Sequence, residues 1–353
     1  MKNIDLSHIR ICLLDKKYFN KWKYIAIVLC IILFTSCSKT LPVSSPNTGL
    51  NEKLTLVHFI DVGQADSILI ESKGQVLLMD AGNNDDSETV INYLKKRGIE
   101  RIDYVIGSHP HEDHIGGLDD VIEEFEVGKV FLTDYVIPSD SLNSLLNTIK
   151  NNNLQIIIPS VGDEYALGNA SFIFVAPVKK DYGSKVNNYA LGIKLIDREN
   201  SFLLTADAEE VAEMDMAAGE IDITADVLKV NHHGSITSST EIFIDAVKPT
   251  YAVISVGKDN PYGNPSYSVL TRLLDHHVQI YRTDLSGTIT VISDGKNLIF
   301  KTEKNANIEN ENNEKNINEN SDKDANESSD KDANENSDKH ANESSKKNIK
   351  ENR

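Results

Sequence analysis

Cysteine is missing from the body of the chain: Cys12, Cys30 and Cys37 all fall within the first forty residues. A disulfide framework or a thiolate metal site beyond that point is therefore excluded. An apolar stretch long enough to cross a bilayer is also missing near the N-terminus. The uncharged run at 24–34 (YIAIVLCIILF) has eleven residues, against the roughly 20 that a spanning helix needs. Basic charge is scarce in the middle: residues 41–300 carry 19 Lys and Arg against 38 Asp and Glu. Such a surface is a poor non-specific polyanion binder, although metal ions could neutralise a local groove. Histidine is absent from 115 to 231. What is present just before that gap is therefore conspicuous.

The chain divides into four parts. Residues 1–37 read as an export signal, in which Lys16, Lys17, Lys21 and Lys23 lead into the apolar run. Phe34, Thr35 and Ser36 before Cys37 resemble a bacterial lipobox, with Phe34 at the usual leucine position, so Cys37 is the expected lipidation site. An uncleaved N-terminal anchor is the alternative. Either one tethers the body to the membrane outside the cytoplasm. Residues 38–53 form a Ser/Pro/Thr-rich linker, and 54–301 the globular body. Residues 302–353 are expected to be disordered, because the repeats SDKDANES, SDKDANEN and SDKHANES hold nothing apolar beyond alanine. His340 there is a variant of the repeat's aspartate rather than a ligand.

Turn signals separate three short strands at 54–60, 66–70 and 75–79, an antiparallel meander. Helical spacing follows at 88–97, then a strand at 103–108, a helix at 115–125, a strand near 128–132, a helix near 139–150 and a strand near 155–158. A β-rich block covers 164–206. Helices at about 208–217, 240–247 and 266–275 alternate with strands at 225–230, 250–256 and 278–281, and strands at 287–293 and 297–301 finish the body. Two β-rich halves flanked by helices imply an α/β fold, a four-layer αββα sandwich.

The chemistry gathers at strand ends. His109, His111, Glu112, Asp113 and His114 follow the apolar run at 104–107. In extended chain His109 and His111 point the same way and can share one ion, while Asp113 and His114, beyond the bend, can face a second. Two ions need further donors. Asp207 ends the apolar run 201–206 and is the candidate bridge, with an N-cap for the following helix as the competing role. His232 and His233, at a third strand end, supply one more ligand; the other is a substrate contact or proton donor. His58 falls inside a strand and reads as a core or face histidine, and His276 and His277 as helix-end residues.

HPHEDHIGG at 109–117 resembles the HxHxDH signature of the metallo-β-lactamase superfamily. FIDVGQADS at 59–67, LMDAG at 78–82, LLTADAE at 203–209, LKVNHHGS at 228–235 and RTDLSG at 282–287 resemble, in order, the motifs of the ComEC-type hydrolase domain of competence proteins. The resemblance covers about 54–301 and implies the αββα fold, with two divalent ions, zinc or manganese, on one edge. It implies that His109 and His111 hold the first ion, that Asp113 and His114 hold the second, that Asp207 bridges them, and that one of His232 and His233 completes the set. Asp80 is implied behind a ligand histidine. Asn188 stands near the place of a further superfamily histidine, and Asn264 where the ComEC-like branch carries one. Ala65 and Ala206 replace usual glycines.

The expected function is that of an exported hydrolase in which a metal-bound hydroxide attacks a phosphodiester or related ester, with DNA or a nucleotide among the substrates. Asp113, His232 and His233 are the candidate catalytic residues. The alternatives are hydrolysis of a phosphorylcholine ester, a lactone or a β-lactam, or a non-catalytic surface lipoprotein that binds metal or a partner.

Overall fold

The computed structural model describes residues 53–304. Cys37, the expected export signal, nearly all of the linker and the repeat tail lie outside the described residues. Among the described residues no helix is long and apolar enough to cross a membrane.

Two sheets form the centre. The first has eight strands, in the order Leu298–Thr302 (β15), Ile289–Ser293 (β14), Thr55–Phe59 (β1), Ile68–Ser72 (β2), Gln75–Met79 (β3), Arg101–Gly107 (β4), Glu126–Leu132 (β5) and Ile156–Ile157 (β6). The second has seven: Gln279–Arg282 (β13), Tyr251–Ile254 (β12), Val227–Lys229 (β11), Asn200–Leu204 (β10), Gly192–Asp197 (β9), Ala170–Ala176 (β8) and Glu164–Leu167 (β7).

Alternation along the strands dictates the layering. Ile68 and Ile70, Leu77 and Met79, and Phe202 and Leu204 point into one core between the sheets. Their neighbours Leu69 and Leu78 face outward onto the helices Ser87–Lys96 (α1), Leu118–Glu124 (α3) and Asp140–Asn151 (α4). On the other side Leu203 and Leu228 meet Glu210–Ala217 (α5) and Glu241–Val247 (α6), while Ala252 and Ile254 meet Tyr267–Asp275 (α7). The result is an αββα sandwich.

One expectation needs correction. The helix expected at 115–125 is two pieces, Glu112–Ile115 (α2) and α3, separated at Gly116 and Gly117. The glycines let the turn press on neighbouring backbone: a Cβ on Gly116 would lie 2.4 Å from the Asn84 nitrogen, and one on Gly117 2.5 Å from the Ala81 carbonyl. The last two strands follow β13 of the second sheet in the chain. They return to the first sheet, where β14 pairs antiparallel with β1 and buries Ile289 and Val291 in the central core. His58 is fully buried in that pairing, between Thr290 and Glu71.

Candidate metal centre

The four segments that carry the chemistry leave the C-terminal ends of β3, β4, β10 and β11, which are parallel in neighbouring pairs within each sheet. Tight left-handed turns re-aim the chain there. Asp80 (φ 61°), Ala206 (φ 47°), His232 (φ 50°) and His233 (φ 53°) all adopt positive φ, which costs a non-glycine residue about 1–2 kcal/mol. Ala206 thus occupies a conformation that favours the glycine it replaces. The strain is concentrated where side chains must converge.

Asp113, His114, Asp207 and His233 come together, with one ligand atom of each within 4.8 Å of every other. His114 Nε2 lies 3.3 Å from Asp207 Oδ2 and 3.8 Å from Asp113 Oδ2. His233 Nε2 lies 3.3 Å from Asp113 Oδ2 and 3.8 Å from Asp207 Oδ2. Each imidazole is held from behind through its other nitrogen: His114 Nδ1 donates to Asp80 at 2.8 Å, and His233 Nδ1 to the Ser255 carbonyl at 2.9 Å. Both Nε2 lone pairs are thereby aimed into the cluster. Asp207 is not the N-cap of α5; Glu209 takes that place, which leaves its carboxylate to the centre.

The cluster calls for a cation. Asp207 Oδ1 and His114 Nε2 are buried and accept or donate no hydrogen bond among the described residues. Burial works against charge on every member, yet the carboxylates and imidazoles overcome it mutually. Burial would raise the Asp207 carboxyl, but His114, His233 and His232 hold it well below the ordinary carboxylate range. Burial would lower the His114 imidazole, but Asp207, Asp113 and Asp80 pull it well above its ordinary value. A buried site whose carboxylates favour positive charge beside them fits a divalent cation with nitrogen and oxygen ligands.

His109 and His111 form a second donor pair. His109 Nε2 and His111 Nδ1 are 3.0 Å apart, close to the roughly 3.3 Å edge of a tetrahedron with metal–nitrogen bonds of about 2.0 Å. Burial keeps both imidazoles below their ordinary pKa, which favours the neutral form that binds a metal. The pair belongs to none of the clusters of three or more donors among the described residues. The first ion's place is thus poorer in donors than the second's.

His232 stands at the rim. Its Nε2 is 3.7 Å from Asp207 Oδ2, its Nδ1 contacts Thr237 Oγ1 at 3.2 Å, and its side chain is 26% exposed where that of His233 is 2%. Asn188 is not behind a ligand: its Oδ1 accepts from the N–H groups of Glu209 and Ala212, capping α5. Asn264 exchanges backbone hydrogen bonds with the Asn260 side chain, while Pro265 packs where a Cβ on Gly234 would lie 2.5 Å away. This loop shapes the turn that carries His232 and His233. His276 pairs with Glu241 at 2.7 Å on the surface, remote from these strand ends in the chain's layering.

Two residues were given no role by the sequence reading. Lys229, fully buried, forms an ion pair with Asp66 and donates to the Ala206 carbonyl at 3.2 Å. The nearby grouping of Asp66, Asp80 and His114 also brings three possible ligand atoms together, and there the Lys229 ammonium stands against the Asp66 carboxylate. A lysine inside the apolar strand run 227–230 was the available signal, because an unpaired buried charge is prohibitive. Asp66 also ties the loops together through its backbone, donating to Asp113 O and accepting from Gly82 N.

Comparison with known proteins bears on the fold and on the chain's relatives. Residues 60–131 match the metallo-beta-lactamase superfamily. The chain is 30% identical to ComE operon protein 3 of Bacillus subtilis over 66% of its own length and 32% of that protein. It is 30% identical to Recombination protein 2 of Haemophilus influenzae, over 67% of its length and 28% of the relative. Competence protein ComA of Neisseria gonorrhoeae is 28% identical over 65% and 31%. The chain spans about a third of the length of these relatives.

Proposed function

The chain belongs to the metallo-β-lactamase superfamily, and from that premise we propose that it is an exported hydrolase, tethered through Cys37, that cleaves a phosphodiester or related ester. The observation that carries the reading is the convergence of Asp113, His114, Asp207 and His233, with Asp80 and Ser255 fixing the two imidazoles. A divalent cation, zinc or manganese, would be held by these four residues, and another by His109 and His111 with Asp207 toward it. When bound, such ions supply Lewis acidity, acidifying water and polarising the ester oxygen.

The protein's own groups do the rest. Asp80 and the Ser255 carbonyl select the tautomers of His114 and His233. His232 is the proton donor to the leaving oxygen, since of the two histidines of this turn it is the one with solvent access and with its Nδ1 engaged by Thr237. His233 takes the ligand role left open between the two. The acidic body favours a small ester over long DNA.

Metal analysis of the purified protein, with assays on bis-p-nitrophenyl phosphate, single-stranded DNA, p-nitrophenyl phosphorylcholine and nitrocefin in Mn²⁺ or Zn²⁺, tests this reading. Turnover on the phosphodiester is expected. Metal retained with no turnover on any of the four would replace it with a non-catalytic, metal-binding role.

A further inference from the structure

An apolar cavity of about 310 Å³ opens beside the donor residues, with His109 in its wall. Leu142 and Leu146 of α4 line it from one side, and Val136 and Ile158 stand at its mouth, 63% and 48% exposed. Tyr135 completes the wall. Its ring is stacked on that of the buried Tyr189, with centroids 3.9 Å apart and planes at 17°, so it is fixed before any ligand arrives.

We propose that this cavity receives the aryl group of a small ester whose reacting centre lies at the His109 end, so that the substrate class is an aryl ester rather than a polynucleotide. The proposal rests on the hydrolase reading above and narrows its substrate.

Three observations carry it. The volume suits a ring system: an apolar cavity of about 150 Å³ accepts benzene, so about twice that admits a bicyclic aryl group. The chemistry suits one as well. The Tyr135 ring in the wall can contact an aryl group, such contacts being worth about 0.5–1.5 kcal/mol beyond burial, and Ile115, Leu132, Val136, Leu142, Leu146, Ile156 and Ile158 supply most of the remaining wall, with Thr133 and Asp134 as its polar members. The same walls suit nucleic acid badly. No Lys or Arg lines the cavity to meet a phosphate, and the one charged side chain in its wall, Asp134, carries the sign that repels one. Because His109 belongs both to the cavity and to the donor set, a ring seated there holds its ester linkage against the centre, the positioning that speeds reaction.

The test uses the full chain and 2-naphthol, titrated by calorimetry with and without added Zn²⁺. The variants are Val136→Arg and Ile158→Arg, both at exposed positions where the fold tolerates charge, with thermal unfolding as the control. The wild type should bind 2-naphthol. The double variant should bind it at least tenfold more weakly, and 2-naphthol should inhibit hydrolysis of bis-p-nitrophenyl phosphate competitively. Equal affinity in wild type and variant, no binding at all, or non-competitive inhibition would overturn the aryl site. Loss of 2-naphthol binding in the variant of a protein that hydrolyses none of the esters would uphold the cavity as an aryl site and reject the hydrolase reading, which keeps the two failures apart.

Discussion

Asp80 braces His114 from behind: its Oδ2 accepts from His114 Nδ1 at 2.8 Å while its Oδ1 accepts from the Ser108 N–H at 2.8 Å. One carboxylate therefore fixes both the imidazole and the loop that carries it. The left-handed turn at Asp80 is what brings the group under the loop.

Replacing Asp80 by Asn keeps the shape and removes one of the two acceptors. Loss of such a bracing contact typically lowers metal affinity by about 10–100-fold. Chelator competition should register a drop of that order, with the far-ultraviolet circular dichroism unchanged. An unaltered affinity would mean that His114 is held adequately without Asp80.

The Lys229–Asp66 ion pair predicts an asymmetric stability pattern. Lys229→Met strands a fully buried carboxylate, and breaking a buried pair by removing one partner costs about 3–5 kcal/mol. Adding Asp66→Asn removes the stranded charge. Urea denaturation should show a large loss for the single variant and a partial recovery for the double.

Acid sensitivity should trace in part to His58. Burial and the Arg97 guanidinium hold its imidazole below the ordinary value, against the pull of Glu71. Glu71 itself is pushed up by burial, but His58 and Arg97 outweigh this and hold it down. The unfolded chain then takes up the His58 proton first. The contribution is complete above a pH of about 6.5 and is lost as pH falls from there through the depressed folded value. Glu71 adds a loss of the same sign at lower pH. In His58→Gln, the decline of the urea midpoint between about pH 7 and 5 should be shallower than in the wild type; an identical slope would place the sensitivity elsewhere.

The elements were legible where period and punctuation agree. Leu77, Leu78 and Met79 alternate between two cores, and the strand at 75–79 lies where its sequence places it. The return of β14 to β1 was not legible, because the alternating pattern of Ile289 and Val291 suits the central core from either sheet. In the centre, the residue types at 109–114, 207 and 232–233 announced nitrogen and oxygen donors. Which of His232 and His233 faces inward was hidden, since both lie in left-handed backbone and only the Ser255 carbonyl, from a different strand, singles out His233. Asn188 misled for the converse reason. Its position near the place of a superfamily histidine suggested a role behind the ligands, but its oxygen serves the start of α5.

The most direct test compares metal content in His233→Ala and His232→Ala, measured by plasma mass spectrometry alongside turnover of bis-p-nitrophenyl phosphate. His233→Ala should lose bound cation relative to the wild type. His232→Ala should keep its cation while turnover falls by about 10²–10⁴, the range for a removed proton donor. Cation lost from His232→Ala and kept by His233→Ala would contradict the centre described by Asp113, His114, Asp207 and His233.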